Sequence, residues 1–195
     1  MKIFINYRRD DEANIAFAIA NALMTEYGVS NLFFDRQAIK AGSELPQEID
    51  NAHENCRIFI PIIGREWLNI MNKRRTFEED DYVLNEIEHA LEKGVKVLPI
   101  LVDETSMPSK KDLPPKLSKL SIINAVNISS DPKRLPLDIK LLIAELNDIS
   151  MVISEIMSGG GEGADEKTFS TVPDLQHMHA LVADDNPTAR EILTE

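Results

Sequence analysis

Glu86 is the residue of this sequence whose setting most favours chemistry. Residues 80–93 predict a helix whose apolar side chains share one face: Val83, Ile87, Ala90 and Leu91. Glu86 falls at the border of that face, where a carboxylate is partly removed from water. Partial desolvation is one route by which proteins tune a carboxylate for acid or base catalysis. Tyr82, one turn earlier, would add an aromatic wall for a ring. The alternative interpretation is a helix-flank acid paired with an arginine or lysine.

A second set of chemically capable residues follows the first apolar run of the chain. Residues 3–6 predict a buried strand, and Tyr7, Arg8 and Arg9 come directly after it. Arginine binds phosphate and carboxylate groups through two parallel hydrogen bonds. At the carboxyl edge of a first strand, this pair predicts contact with a nucleotide phosphate. The alternative is a pair of surface arginines that balance the acids at positions 10–12.

The segment 35–44 is predicted to be a loop beside the same strand edge. Gly42 allows backbone conformations that other residues resist and lets a ligand approach closely. Ser43 is a candidate N-cap for the next helix. Taken alone this is an ordinary loop, but its length and position predict a flap or contact surface.

Alternating strands and helices are predicted to position these residues. Short apolar runs occupy residues 3–6, 31–35, 57–64, 95–103 and 122–129. Amphipathic helical stretches occupy residues 12–28, 45–55, 80–93 and 134–157, and the last has Leu137, Leu141, Ile143, Leu146, Ile149 and Ile153 as its apolar set. Residues 67–68 predict a turn or short helix, and 71–81 a polar connection. This order predicts a flavodoxin-like three-layer α/β sandwich with a central five-stranded parallel sheet and ligands at the carboxyl ends of its strands.

Composition excludes several classes of function. The net charge is −12, which argues against nucleic acid as a partner. The single cysteine, Cys56, allows no intrachain disulfide and is predicted to be a buried structural thiol. No apolar run reaches the roughly 20 residues of a membrane span, and the N-terminus lacks a signal-peptide core, so we expect a soluble cytoplasmic protein. The four histidines suggest no metal cluster, and no phosphate-binding glycine motif is present.

The chain changes character near its C-terminus. We predict a domain over residues 1–150, the end of its last helix over 151–157, and a flexible linker over 158–178. Residues 179–195 resemble the opening strand and helix of a response-regulator receiver domain, with Asp184 and Asp185 as its paired acids. A receiver this short lacks the later strand that carries the phosphate-accepting aspartate, so we expect no phosphotransfer. A disordered acidic tail is the alternative, and a role in a two-component system is a further hypothesis.

The order and spacing of five segments resemble the Toll/interleukin-1 receptor (TIR) domain, especially its bacterial and axon-degeneration enzyme branches. They are 3-IFINYRRDD-11, 34-FDRQAIKAGSELPQEI-49, 57-RIFIPIIGREWL-68, 81-DYVLNEIEHALEKGVKVLPILVD-103 and 107-MPSKKDLPPKL-117. Enzymes of this family carry a Trp-x-x-x-Glu motif on the helix that opens the fourth of these segments. Here the motif reads Tyr82 to Glu86, so the aromatic residue differs from the family pattern.

The resemblance implies an NAD glycohydrolase. Many members cleave NAD at the nicotinamide–ribose bond, giving nicotinamide and ADP-ribose or a cyclic form. Glu86 would stabilise the developing oxocarbenium ion, Tyr82 would stack on a ring, and Tyr7, Arg8, Arg9, Gly42 and Ser43 would line the pocket. NAD is then the substrate, with no cofactor or metal. The resemblance also implies self-association through the loop 35–44, in bacterial defence or signalling. The alternative is a non-catalytic TIR adaptor in signal transduction.

Overall fold

Short parallel strands form the centre of the molecule. The computed structural model describes residues 1–34 and 56–158, with side chains to residue 155, and Met1–Glu155 forms one compact unit. Its strands are β1 (Ile3–Asn6), β2 (Leu32–Phe34), β3 (Ile58–Ile63), β4 (Lys96–Val97), β5 (Ile100–Val102) and β6 (Val126–Ile128). The order is β2–β1–β3–β5–β6, β4 also pairs with β3, and every pair is parallel.

The predicted strand 95–103 is divided into β4 and β5 at Leu98 and Pro99. Proline has no N–H to donate to a ladder. The neighbouring backbone bonds nevertheless continue, because Leu98 N donates to Phe59 O at 2.9 Å and Val126 N donates to Pro99 O at 2.9 Å. The two pieces therefore occupy one position beside β3, and the sheet keeps the five strand positions that the sequence predicts.

Four α-helices accompany the strands within the described ranges. They are α1 (Ala13–Tyr27), α2 (Trp67–Thr76), α3 (Tyr82–Glu92) and α4 (Leu135–Ser158), with 3₁₀ helices at Val29–Asn31 and Pro115–Ile122. The prediction of a polar connection was wrong for residues 71–76, because α2 begins at Trp67 and continues for ten residues, through Thr76. It buries only Trp67 and Met71, which are one turn apart, so the rest of its sequence reads as a loop.

Helices cover both faces of the sheet, which confirms the three-layer arrangement. One cluster packs Ile58, Ile60 and Ile62 of β3 with residues of α1 and α4. The other packs Phe59 and Ile63 with residues of α2, α3 and the 115–122 helix. All six residues of β3 are buried, which explains its uninterrupted apolar sequence.

Helix α4 presents only part of its predicted apolar set to the core. Leu142 and Leu146 are fully buried, whereas Leu137 and Leu141 are each 59% exposed. Leu146 was predicted correctly, but apolar residues occupy more than one face of this helix, so periodicity alone wrongly selected Leu137 and Leu141 and omitted Leu142. Ile143, Ile149 and Ile153 are half-buried against the core, in line with the prediction.

The strand order defines where a ligand site is expected. The chain leaves β1 toward β2 on one side and then crosses to β3 on the other, so the order of strands reverses between β1 and β3. Open α/β sheets bind ligands at the carboxyl ends of the strands at such a point. The predicted loop 35–44, the helix 45–55, the linker and the receiver-like segment lie outside the described residues. Among the described helices none is long and apolar enough to cross a membrane.

Candidate functional site

Glu86 lies beside the carboxyl end of β1, at the point where the strand order reverses. Asn6, the last residue of β1, donates from Nδ2 to Glu86 Oε2 at 2.8 Å and to Val83 O at 3.2 Å. Asn6 is 1% exposed, and Glu86 is half-buried. Helix α3 places Glu86 here because Ile87 and Ala90, on the adjacent face, are fully buried against the sheet. The carboxylate predicted from periodicity thus lies at the predicted edge of the sheet.

A buried ion pair fixes the start of α3 to the same strand end. Arg8 donates from Nη1 to Asp81 Oδ1 at 3.0 Å and from Nη2 to Asp81 Oδ2 at 2.7 Å. The two side chains are 3% and 10% exposed. Asp81 is also the N-cap of α3, accepting from Leu84 N at 3.3 Å. The guanidinium lies over the ring of Trp67, 5.0 Å from its centroid. Arg8 is therefore not the surface arginine of the alternative interpretation, and its guanidinium is engaged by Asp81.

Residues at the end of β1 alternate between the two faces of the sheet. Asn6 and Arg8 point toward α3, as the period of two requires. Tyr7 lies on the opposite side, stacked on Phe34 with ring centroids 5.1 Å apart and edge-on to Phe17 at 6.1 Å. The structure therefore separates Tyr7 from the face that carries the Asn6–Glu86 contact.

Two more of the predicted residues are accessible at this end of the sheet. Arg9 is exposed, and Tyr82, the first residue of α3, is 52% exposed. Tyr82 lies one turn before Glu86 on the same helix. Its ring is thus presented to solvent, whereas Trp67 is fully buried under Arg8 and offers no stacking surface to a ligand.

The loop after β1 closes against the end of β3. Asp11 accepts hydrogen bonds from Gly64 N and Glu66 N, both at 2.9 Å, and so satisfies amides at the start of α2. A Cβ on Gly64 would collide with Glu12 Cγ and would lie 2.6 Å from each Asp11 carboxylate oxygen, so the close approach favours glycine. Burial raises the pKa of Asp11, although the two amide bonds oppose that shift. Burial likewise raises the pKa of Glu12, and the charges of Asp11 and Asp103 add to it.

Comparison with known proteins identifies the fold. The family profile for the TIR domain matches residues 3–136, well over half of the chain. The chain belongs to the TIR domain family. The TIR domains in the structure of the activated Roq1 resistosome, which directly recognises the pathogen effector XopQ, are similar to it with a TM-score of 0.57 and 14% identity. The match covers 74% of this chain and 98% of the Roq1 chain. No curated protein gives a significant match.

The predicted site of this TIR domain is only partly described by the structure. Glu86 and Arg8 converge on the face of β1 that packs against α3, Arg9 and Tyr82 are accessible at the same end, and Tyr7 lies on the other face. Gly42 and Ser43 fall outside the described residues. The roles of all seven in substrate binding or catalysis stay predictions.

Sequence reasoning missed the two residues that hold α3 of the TIR domain in place. Asn6 is a polar residue at the end of an otherwise apolar strand, in register with Pro61 of β3, and that was the available signal. Asp81 precedes the apolar period of α3 at an N-cap position. Neither signal identifies the partner, since Asn6 and Glu86 are 80 residues apart and Arg8 and Asp81 are 73 apart.

A separate cleft of about 420 Å³ opens at the ends of β3 and β5 of the TIR domain. Its lining includes Gly64, Arg65, Leu68, Thr105 and Met107. Because β3 lies between this cleft and β1, the cleft is distinct from the Asn6–Glu86 contact. Asp103, at the end of β5, accepts from Ser130 N at 2.8 Å and Ser130 Oγ at 2.9 Å, which lowers its pKa.

Proposed function

We propose that this TIR domain is an NAD glycohydrolase with Glu86 as its catalytic carboxylate. The observation that carries the proposal is the position of Glu86, a half-buried carboxylate held at the carboxyl end of β1, where the strand order reverses. Family membership supports it, because the motif helix of the enzyme branch corresponds to α3.

The chemistry requires one well-placed anion. The bond between C1′ of the ribose and the pyridinium nitrogen breaks, and its electron pair leaves with nicotinamide, which becomes neutral. Positive charge then develops on the ribose as an oxocarbenium ion, which a nearby carboxylate stabilises. Attack of water at C1′, with loss of a proton, gives ADP-ribose, and attack by an atom of the adenine ring gives a cyclic product. NAD is the substrate in this scheme, and no cofactor or metal takes part.

The neighbouring residues take distinct roles in the proposal. Arg9, which is exposed just after β1, would contact the pyrophosphate. The guanidinium of Arg8 is engaged by Asp81, and Arg8 would act by supporting α3. Tyr82 provides a ring face beside the carboxylate. Tyr7 lies on the other face of the sheet, stacked on Phe34. In the proposal it supports the loops that border the pocket. Gly42 and Ser43 would complete the pocket from the loop 35–44.

Self-association is part of the proposed activity. The loop 35–44 would form the contact between copies, and the similar Roq1 TIR domains were solved within an activated resistosome. A head-to-tail contact of this kind gives open filaments unless the rotation closes a ring. The rate of nicotinamide release is then expected to rise faster than linearly with protein concentration. A gel-filtration series at the same concentrations would measure the extent of self-association.

The decisive experiment follows nicotinamide release from NAD by concentrated or crowded protein. Glu86→Gln preserves shape and an acceptor for Asn6 but removes the charge, and should lower the rate by at least about 100-fold. Glu88→Gln is the matched control on the same helix, because Glu88 pairs with Lys116 away from β1. Full activity in Glu86→Gln would show that the site assignment is wrong.

A non-catalytic adaptor is the second candidate function. Two aromatic side chains near the start of α3, Phe77 and Tyr82, are 65% and 52% exposed, and exposed aromatic side chains are typical of protein contact surfaces. Self-association without any nicotinamide release by the wild-type protein would favour this function over the enzyme.

A further inference from the structure

Asn6 is a buried amide at the end of an otherwise apolar strand. It ends β1 after Ile3 and Ile5, which belong to the core, and is itself 1% exposed. Its Nδ2 has two hydrogens, and both are donated to α3, one to Val83 O and one to Glu86 Oε2. Because both partners are acceptors, only the nitrogen of the amide can face them. The orientation of Asn6 is therefore dictated by its surroundings.

The other end of the amide makes no compensating bond to the described part of the chain. Asn6 Oδ1 is buried and lacks a hydrogen-bond partner among the residues that the structure describes. An unpaired buried oxygen destabilises a folded protein. An apolar residue, as at the other positions of β1, would avoid that penalty. Residues that reduce stability in this way are characteristic of functional sites rather than of packing.

We propose that Asn6 is a positioning residue for the reaction, holding the Glu86 carboxylate in the single orientation in which it meets the ribose. This inference rests on the proposed NAD glycohydrolase function and assigns Asn6 a role in it. The bond to Val83 O fixes the helix against the strand, and the bond to Glu86 Oε2 fixes the side chain relative to the helix. The carboxylate is thus held before substrate arrives, which avoids reorganisation during bond cleavage.

The test compares Asn6→Leu with a variant that weakens the same helix by packing alone. Asn6→Leu should lower kcat for nicotinamide release by about 10-fold to 100-fold, since small misplacements of a catalytic group have effects of that size. KM should change by less than about twofold, because the substrate contacts remain. Ile87→Val, in the fully buried core of α3, should leave kcat within about twofold at comparable thermal stability.

The outcomes separate this inference from the function on which it rests. If active wild-type protein and Asn6→Leu have the same kcat, or if Ile87→Val lowers kcat equally, Asn6 has only a structural role and the proposal is wrong. If Asn6→Leu does not fold, Asn6→Ser retains a donor and should give an intermediate kcat; unchanged activity there also overturns the proposal. Wild-type protein that releases no nicotinamide when assembled rejects the proposed function itself, and the positioning role with it.

Discussion

Replacing Arg8 by methionine should strongly destabilise the domain. The substitution removes the two hydrogen bonds that Arg8 donates to the buried Asp81 carboxylate and leaves only the bond from Leu84 N. Methionine still fills space over Trp67. Breaking a buried ion pair by removing one partner destabilises proteins by about 3–5 kcal/mol. For a domain of this size each kcal/mol lowers Tm by about 2–4 °C. The expected decrease in Tm is therefore about 6–20 °C.

Tryptophan fluorescence follows both unfolding in urea, which gives the free energy of unfolding, and unfolding on heating, which gives Tm. Trp67 is the single tryptophan of the chain and lies directly under Arg8, so its emission reports on the substituted site. The exposed ion pair of Arg65 and Asp103, whose side chains are 70% and 24% exposed, is the control. Arg65→Met should lower the free energy of unfolding by less than about 1 kcal/mol.

A second variant isolates the cause of the loss. Combining Arg8→Met with Asp81→Asn removes both charges and keeps an acceptor at the N-cap of α3, so most of the lost stability should return. If Arg8→Met proves no more destabilising than Arg65→Met, the ion pair is not the connection between β1 and α3 that the geometry indicates.

Three further predictions concern the sheet edge and the core. Gly64→Ala should reduce the free energy of unfolding by about 1–3 kcal/mol in urea, because its Cβ would displace the Asp11 carboxylate from the start of α2; a neutral effect would contradict this. Glu12→Gln should raise Tm near pH 7 but not near pH 4: burial raises the pKa of Glu12 above its ordinary 4.5, so the folded state holds a proton more readily than the unfolded chain just above that value, and ionisation at higher pH destabilises the fold. Equal effects at both pH values would exclude that explanation. Cys56 is 6% exposed, and burial raises the pKa of its thiol to about 11; iodoacetamide should therefore modify native protein far more slowly than urea-unfolded protein at pH 8, and equal rates would show that the thiol is accessible.

The sequence predicted correctly those helices and strands whose apolar residues fit only one periodicity and one buried face. The predicted helix at 12–28 is α1, which buries Ala16, Ile19, Ala20 and Leu23, residues that share one helical face. The prediction failed for α2, whose sequence is mostly polar. Only Trp67 and Met71 of this helix are buried, and its start is stabilised by Asp11, which lies far away in the sequence. In α4 the leucines at 141 and 142 are equally apolar, and only the packed sheet decides which is buried.

The candidate site was predictable in position but not in its connections. Glu86 could be identified because helical periodicity places it at the border of a buried face. Its partner Asn6 and the pairing of Arg8 with Asp81 depend on the path of the chain between β1 and α3, which no local pattern encodes. Tyr7 and Arg8 were both predicted to line the pocket, and the alternation of side chains at a strand end places the two on opposite faces of the sheet.

The central position of β1 has a consequence for how the protein is made. Although β1 is synthesised before β2 and β3, it lies between them and pairs with both. During translation its second edge has no partner until Ile58–Ile63 leaves the ribosome, so an apolar strand edge stays unpaired over the intervening synthesis. Unpaired apolar edges promote aggregation. A ribosome stalled soon after Phe34 should therefore present a nascent chain that binds chaperones, and one stalled well beyond Ile63 should bind them less.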